Sequence, residues 1–267
     1  MYRRSDPNKT NYIAKHLRAE SSELAIHEYL HSRPYQSPHI ISIIDVVPST
    51  TREWLILPNL FSIRKQWLLD EQGVTGRVRL CRGLIEGLAH LHNYKIAHRD
   101  IKPGNLVRDQ DFNLKIIDFD IAIRVDDENT ETEGYCGTEG WTAPEIGKED
   151  TSTMAYSPIK ADRWSCGRVI LRHLIVGVTV GKGVRHLSEF ANRLMANDPQ
   201  QRPSLLEWPK FLATPLITTV PGRSRRRIET SVKLPDAKKR RFEPKPESVQ
   251  SQPEPPASLL EALHVYT

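Results

Sequence analysis

The segment His98-Arg99-Asp100-Ile101-Lys102-Pro103-Gly104-Asn105 is followed, thirteen residues after Asn105, by Asp118-Phe119-Asp120. Together these residues concentrate the groups that moving a phosphoryl group requires. That reaction asks a protein mainly for positioning and for stabilisation of charge, with little covalent chemistry. Asp100 carries a carboxylate able to accept the proton of an incoming hydroxyl. Lys102 carries an ammonium able to neutralise the transferring group, and Asn105 and Asp118 offer the hard oxygens that magnesium takes. Any one of these residues alone reads as a solvated turn; together, at this spacing, they read as a site.

Elements of both kinds must position this segment. Upstream, Tyr12 to Leu17 has strand character, and Ser21 to His31 has helical spacing in Leu24, Ile26, His27 and Leu30, opened by Ser21 or Ser22. Two strand-like runs follow, Ile40 to Val47 and Trp54 to Leu57, separated by Pro48-Ser49-Thr50-Thr51. Gly76 to Asn93 carries Val78, Leu80, Leu84, Ile85, Leu88 and Leu91 on a broad apolar helical face. Leu106 to Arg108 and Leu114 to Ile117 read as a hairpin. A loop from about 119 to 145 precedes two helices, Ala161 to Val176 and His186 to Ala196. Strands first and helices afterwards is an α+β order.

The chain resembles the eukaryotic protein kinases of the serine/threonine type. His98-Arg99-Asp100, with lysine two and asparagine five positions beyond the aspartate, is similar to their catalytic loop. Gly137-Thr138-Glu139-Gly140-Trp141-Thr142-Ala143-Pro144-Glu145 looks like the end of an activation segment. Asp162-Arg163-Trp164-Ser165-Cys166-Gly167 resembles the start of the large buried helix, and Asp198-Pro199-Gln200-Gln201-Arg202-Pro203 resembles the closing motif whose arginine pairs with Glu145. The order of these motifs along the chain is also the family's. The resemblance implies a two-lobed fold with an incomplete small β lobe and a mainly helical large lobe. It also implies ATP and Mg2+ as cofactors and a protein hydroxyl as acceptor, with Asp100 and Lys102 catalytic and Asn105 and Asp118 at the metal. Lys15, in Ile13-Ala14-Lys15, corresponds to the lysine that grips the α- and β-phosphates. Its carboxylate partner is Glu23 or Glu28, with Glu23 favoured. Leu55 to Leu60 resembles the hinge, where Leu60 supplies backbone groups to adenine. The rival expectation is a scaffold that keeps the fold without catalysis.

Two departures bear on that choice. None of the residues before Lys15 is glycine, so the family's glycine-rich phosphate loop and its first two strands are expected to be missing and the lysine strand to be an open edge. Asp120 stands where the family has glycine after Asp-Phe, a position whose glycine permits unusual backbone angles; aspartate tolerates them better than most residues. Residues 177 to 186 are shorter than the family's helical stretch there. Arg99 is expected to face a phosphate on Thr130 or Thr132.

The domain layout read from the sequence is a kinase domain over residues 1–217, with a small lobe over about 1–60 and a large lobe over about 61–217. Residues 218–267 follow as a disordered basic, proline-rich tail. That tail holds ten Lys and Arg against six Asp and Glu, which is most of the net charge of +5, and seven of the 19 prolines. The folded part therefore carries no basic surplus of the kind a nucleic-acid surface needs, and nucleic acid is not an expected partner. Within the tail, Arg223 with Arg225 to Arg227, and Lys238 to Arg241, have the pattern of a nuclear import signal. An import receptor and a nuclear location are expected. No apolar run reaches the roughly 18 residues of a membrane span, no secretory signal is evident, and an intracellular, membrane-free protein is expected. The 3 cysteines, Cys81, Cys136 and Cys166, are too few and too scattered for a disulfide framework.

Overall fold

The computed structural model describes residues 2–3, 12–49, 53–63, 73–147, 154–178 and 182–213. The basic tail lies outside them. The architecture is α+β: small antiparallel sheets precede and flank a helical body.

The principal sheet has the order β1-β2-β4-β3, with β1 Tyr2–Arg3, β2 Tyr12–His16, β3 Asp45–Val47 and β4 Trp54–Pro58. Strand β4 lies in its interior and is apolar on both faces, as a strand covered on two sides must be. Its alternating side chains divide between two cores. Leu55 and Leu57 join the main core, while Trp54 and Ile56 pack with Ala14 and Val47 on the opposite face. The β2–β4 register sets Lys15 opposite Leu55. Strand β2 is not the open edge expected from the sequence, because β1 pairs with it through Tyr2↔Ala14 and Arg3↔Ile13.

Helix α1 spans Glu23–His31 and buries Ile26 and Leu30 in the main core. Ser22 stands at its N-cap position without capping it by its side chain. Ser21 takes that part, its Oγ accepting from the Glu23 N–H at 3.2 Å. The apolar run Ile40 to Ile44 is not a strand. Its backbone is satisfied singly, the Ile41 N–H reaching the Ile116 carbonyl at 3.1 Å and the Ile44 N–H reaching Ile56 at 2.8 Å.

Strand β5, Phe61–Ser62, leads from the sheet towards the helical body. Helix α2, Gly73–Asn93, starts three residues earlier than its apolar face predicts, and Leu80, Leu84, Leu88 and Leu91 run down its buried side. Strands β6 Ile96–Ala97, β7 Leu106–Arg108, β8 Leu114–Ile116 and β9 Ile123–Arg124 form two small sheets, β5-β7-β8 and β6-β9. Helix α3, Pro158–Val169, is opened by Ser157, whose Oγ accepts from the Lys160 N–H, with proline at the first helical position. It continues into a π-turn at Ile170–Leu174. Helix α4, Lys182–Leu194, crosses α3 closely. A Cβ at Gly167 would stand 2.6 Å from the Ala191 carbonyl oxygen, so only glycine fits there. A short helix, α5 Trp208–Ala213, closes the described chain, with the Trp208 ring tilted against Phe190 at 5.2 Å between centroids. No helix among the described residues is long and apolar enough to cross a membrane. All three cysteines are free thiols.

Candidate active site

Strands β6 and β9 pair on either side of the catalytic-loop sequence and fix where it begins. Its backbone is then held from beneath by α3. The Asp162 carboxylate, 2% exposed, accepts the His98 N–H at 2.6 Å and the Arg99 N–H at 2.9 Å. Those contacts stabilise the turn in which Arg99 takes φ 68°, an unfavourable angle for a residue with a Cβ. His98 is fully buried. Its Nδ1 accepts from the Asp100 N–H at 3.2 Å, which leaves Nε2 to donate to the Ile117 carbonyl at 3.0 Å. The tautomer follows from these two partners.

Asp100 is the hub of the loop. Its Oδ1 accepts the Thr138 hydroxyl at 2.7 Å, and its Oδ2 accepts Lys102 Nζ at 2.7 Å and Asn105 Nδ2 at 2.9 Å. Lys102 Nζ also reaches Thr138 Oγ1 at 2.7 Å. Asp100, Lys102 and Asn105 therefore meet, and Thr138 joins them. The sequence did not single Thr138 out, although it lies in the motif that marks the activation segment. Its signal is the preceding Gly137, at φ 110°, where a Cβ would fall 2.9 Å from the Arg99 carbonyl. That close approach brings a segment 38 residues away onto Asp100.

Above this loop Lys15 projects from β2 into a cleft of about 690 Å³, lined also by Leu57, Leu60, Lys102, Asn105 and Asp118. Leu60 sits on the connection between β4 and β5, at the wall of the cleft. The Lys15 ammonium is ion-paired with Glu23 and contacts Asp118 Oδ1 at 2.6 Å and Asp120 Oδ1 at 3.3 Å. Glu28, the other candidate partner, is exposed. Burial acts to lower the Lys15 pKa, but the Glu23 and Asp118 carboxylates outweigh it and hold the pKa above its ordinary value. Glu23 is fully buried, and that burial pushes it up to about 7 against the pull of Lys15.

Asp118 takes φ 69°, and Phe119 behind it is buried between two imidazoles, 5.0 Å from His98 and 5.0 Å from His27 of α1. Asp120 does not use the unusual backbone angle expected at its position, since among the described residues the positive φ falls on Asp118 instead. The side chain at 120 thus fits without strain. Burial works to raise the Asp120 pKa, yet Ser21 and Lys15 hold it below the usual carboxylate value.

For a divalent cation the donor chemistry is suitable. Asn105 spends its Nδ2 on Asp100 and keeps Oδ1, and Asp118 gives Oδ1 to Lys15 and keeps Oδ2. Both residues line the cleft and both donors are hard oxygens.

The segment after Asp120 is held to α3 through Glu128 and Asn129. Glu128 is ion-paired with Arg163, its carbonyl accepts Ser157 Oγ at 2.7 Å, and Asn129 Oδ1 accepts Lys160 Nζ at 2.7 Å. Thr130 bonds to Asp127, and Thr132 pairs its backbone with Tyr156. Arg99 makes no hydrogen bond to either threonine among the described residues and reaches the Ile121 carbonyl at 3.4 Å. At the segment's end, Glu145 pairs with Arg202.

A strand-borne lysine paired with a helix glutamate, over a loop centred on Asp100, defines a protein of the kinase-like class. The family model for the protein kinase domain matches residues 6–189, and the chain belongs to that family. Curated relatives are serine/threonine kinases. The chain is 33% identical over 176 residues to serine/threonine-protein kinase CST20 of Candida albicans, covering 62% of this chain and 14% of that one. It is 33% identical over 158 residues to human mitogen-activated protein kinase 12, covering 57% and 41%. It is 35% identical over 143 residues to serine/threonine-protein kinase GIN4 of Saccharomyces cerevisiae, covering 52% and 12%. The chain thus spans less than half the length of each.

Proposed function

We propose that the chain transfers the γ-phosphate of magnesium-ATP to a serine or threonine hydroxyl of a protein. The observation that carries this reading is the Asp100 hub. Its carboxylate is held by Lys102, Asn105 and Thr138, so its free lone pairs are aimed before any acceptor arrives. In this role Asp100 takes the proton of the attacking hydroxyl while Lys102, beside it, offsets charge on the transferring oxygens. Lys15, oriented by Glu23, grips the nucleotide phosphates, and Leu60 contributes backbone groups at the adenine end. Asn105 Oδ1 and Asp118 Oδ2 would hold magnesium, which when bound would neutralise phosphate charge.

Incubation with γ-labelled ATP, Mg2+ and a generic protein acceptor, followed by phosphoamino-acid analysis, tests the reading. Label on serine or threonine supports it. Thermal stabilisation by magnesium-ATP with no label transferred would instead favour the non-catalytic scaffold.

A further inference from the structure

Asp120 occupies the site where the family resemblance leads one to expect a residue without a side chain, and its carboxylate is used in full. It is 9% exposed, and it draws on groups from the whole turn that joins β2 to α1. Oδ1 accepts Ser21 Oγ at 2.7 Å and Lys15 Nζ at 3.3 Å, and Oδ2 faces Arg18 Nε at 3.4 Å. The Asp120 backbone belongs to the same junction, its carbonyl accepting the Ser22 N–H at 3.1 Å and Ser22 Oγ at 3.2 Å. The Ser22 hydroxyl, which a helix start would ordinarily use as a cap, also approaches the Phe119 and Ala122 carbonyls at 3.1 and 2.5 Å. The start of α1 is thereby fastened to a segment about a hundred residues further along the chain.

We propose that Asp120 is a positioning residue for phosphoryl transfer: through Ser21, Lys15 and Arg18 it clamps the start of α1 to the metal-binding segment. The clamp keeps the Lys15–Glu23 pair assembled before nucleotide arrives. Glycine at 120 would leave the bonds of Ser22 and the core packing of Ile26 and Leu30 in place but delete all three side-chain contacts, loosening the first turn of α1 around Glu23. Glu23 sets the aim of Lys15, and an α1 free to swing would cost the chain its grip on the phosphates. The three carboxylates Glu23, Asp118 and Asp120 lie within 4.8 Å of one another with the Lys15 ammonium among them. That ammonium contacts all three and offsets one of their charges, with Arg18 beside Asp120, and the cluster serves as an ion-paired joint.

This inference rests on the kinase reading for its catalytic consequence, but its structural half can be measured without any turnover. The comparison is of the intact chain with Asp120→Gly, Asp120→Asn and Ser21→Ala, each without nucleotide, by amide hydrogen exchange across residues 23–31. Asp120→Gly is expected to speed exchange there about tenfold or more, Ser21→Ala less, and Ser21→Ala combined with Asp120→Gly no more than Asp120→Gly alone. Asp120→Asn, which keeps a side-chain acceptor for Ser21, is expected to recover part of the protection. In the phosphotransfer assay kcat should fall in the same rank order, with melting temperatures nearly unchanged. Unchanged exchange in α1 for Asp120→Gly would overturn the clamp, whatever the activity. If exchange shifts as stated while the parent chain transfers no phosphate, the clamp stands and the kinase reading fails.

Discussion

Arg202 holds Glu145 with both ends of its guanidinium, the Nη2–Oε2 contact measuring 2.8 Å, from a side chain with no exposed surface. The same arginine donates Nε to the Ala196 carbonyl at 2.9 Å and Nη1 to the Lys160 carbonyl at 3.0 Å. It therefore joins the end of the activation segment, the start of α3 and the turn after α4 at one point. Lysine cannot reproduce a planar fork with four partners. Arg202→Lys is expected to destabilise the fold by about 2–4 kcal/mol, near the 3–5 kcal/mol cost of breaking a buried pair. Urea denaturation of the two proteins measures this, and a loss below about 0.5 kcal/mol would mean the pair is not a structural joint.

Glu23 and Glu28 sit on one helix and differ in burial: the first is buried against Lys15 and the second is exposed. Glu23→Gln is expected to lower kcat/KM for ATP at least tenfold, or about 1.4 kcal/mol of transition-state stabilisation. Glu28→Gln is expected to leave it within a factor of two. Steady-state kinetics with varied ATP decides between them.

His27 gives the fold a pH dependence of definite sign. Burial, and then the nearby Lys15 charge, push its pKa from 6.5 down to about 4. The unfolded chain takes up this proton first, so stability is full above about pH 6.5 and is lost as pH falls towards 4. At pH 5 the loss is about 2 kcal/mol, from 1.36 kcal/mol per pKa unit. His27→Leu should flatten that part of the stability profile between pH 7 and 5, as read from denaturation midpoints.

The basic tail, outside the described residues, is proposed to engage an import receptor. Replacing Lys238, Lys239, Arg240 and Arg241 with alanine should move a fluorescently tagged chain from nucleus to cytoplasm. An unchanged nuclear fraction would count against that role.

The sequence exposed what is local. The spacing of Asp100, Lys102 and Asn105 lies within one loop, and the apolar stripe of α2 repeats with the helical period, so both are legible in the sequence. Contacts between distant segments were not. Asp162 meets the loop across 63 residues and Thr138 meets Asp100 across 38, and no periodicity encodes such meetings. Ile40 to Ile44 misled because a short apolar run fits a strand and a buried irregular segment equally well. Ser157-Pro158 was the overlooked start signal of α3, a cap followed by a first-turn proline. The Asp120 clamp was hidden for a different reason. At a position known for its backbone angle, the sequence directs attention to conformation, while the structure puts the side chain to use.

The most direct test of the central claim separates the two aspartates of the site. Asp100→Asn and Asp118→Asn are compared with the parent chain for magnesium-ATP affinity by titration calorimetry and for phosphate transfer to a protein acceptor. The account predicts that Asp100→Asn binds magnesium-ATP within about twofold of the parent but loses transfer by a factor of 10² or more, the scale of a general base. Asp118→Asn should lose the binding itself. Transfer by Asp100→Asn at the parent rate would contradict the assignment of Asp100 as proton acceptor, and with it the mechanism.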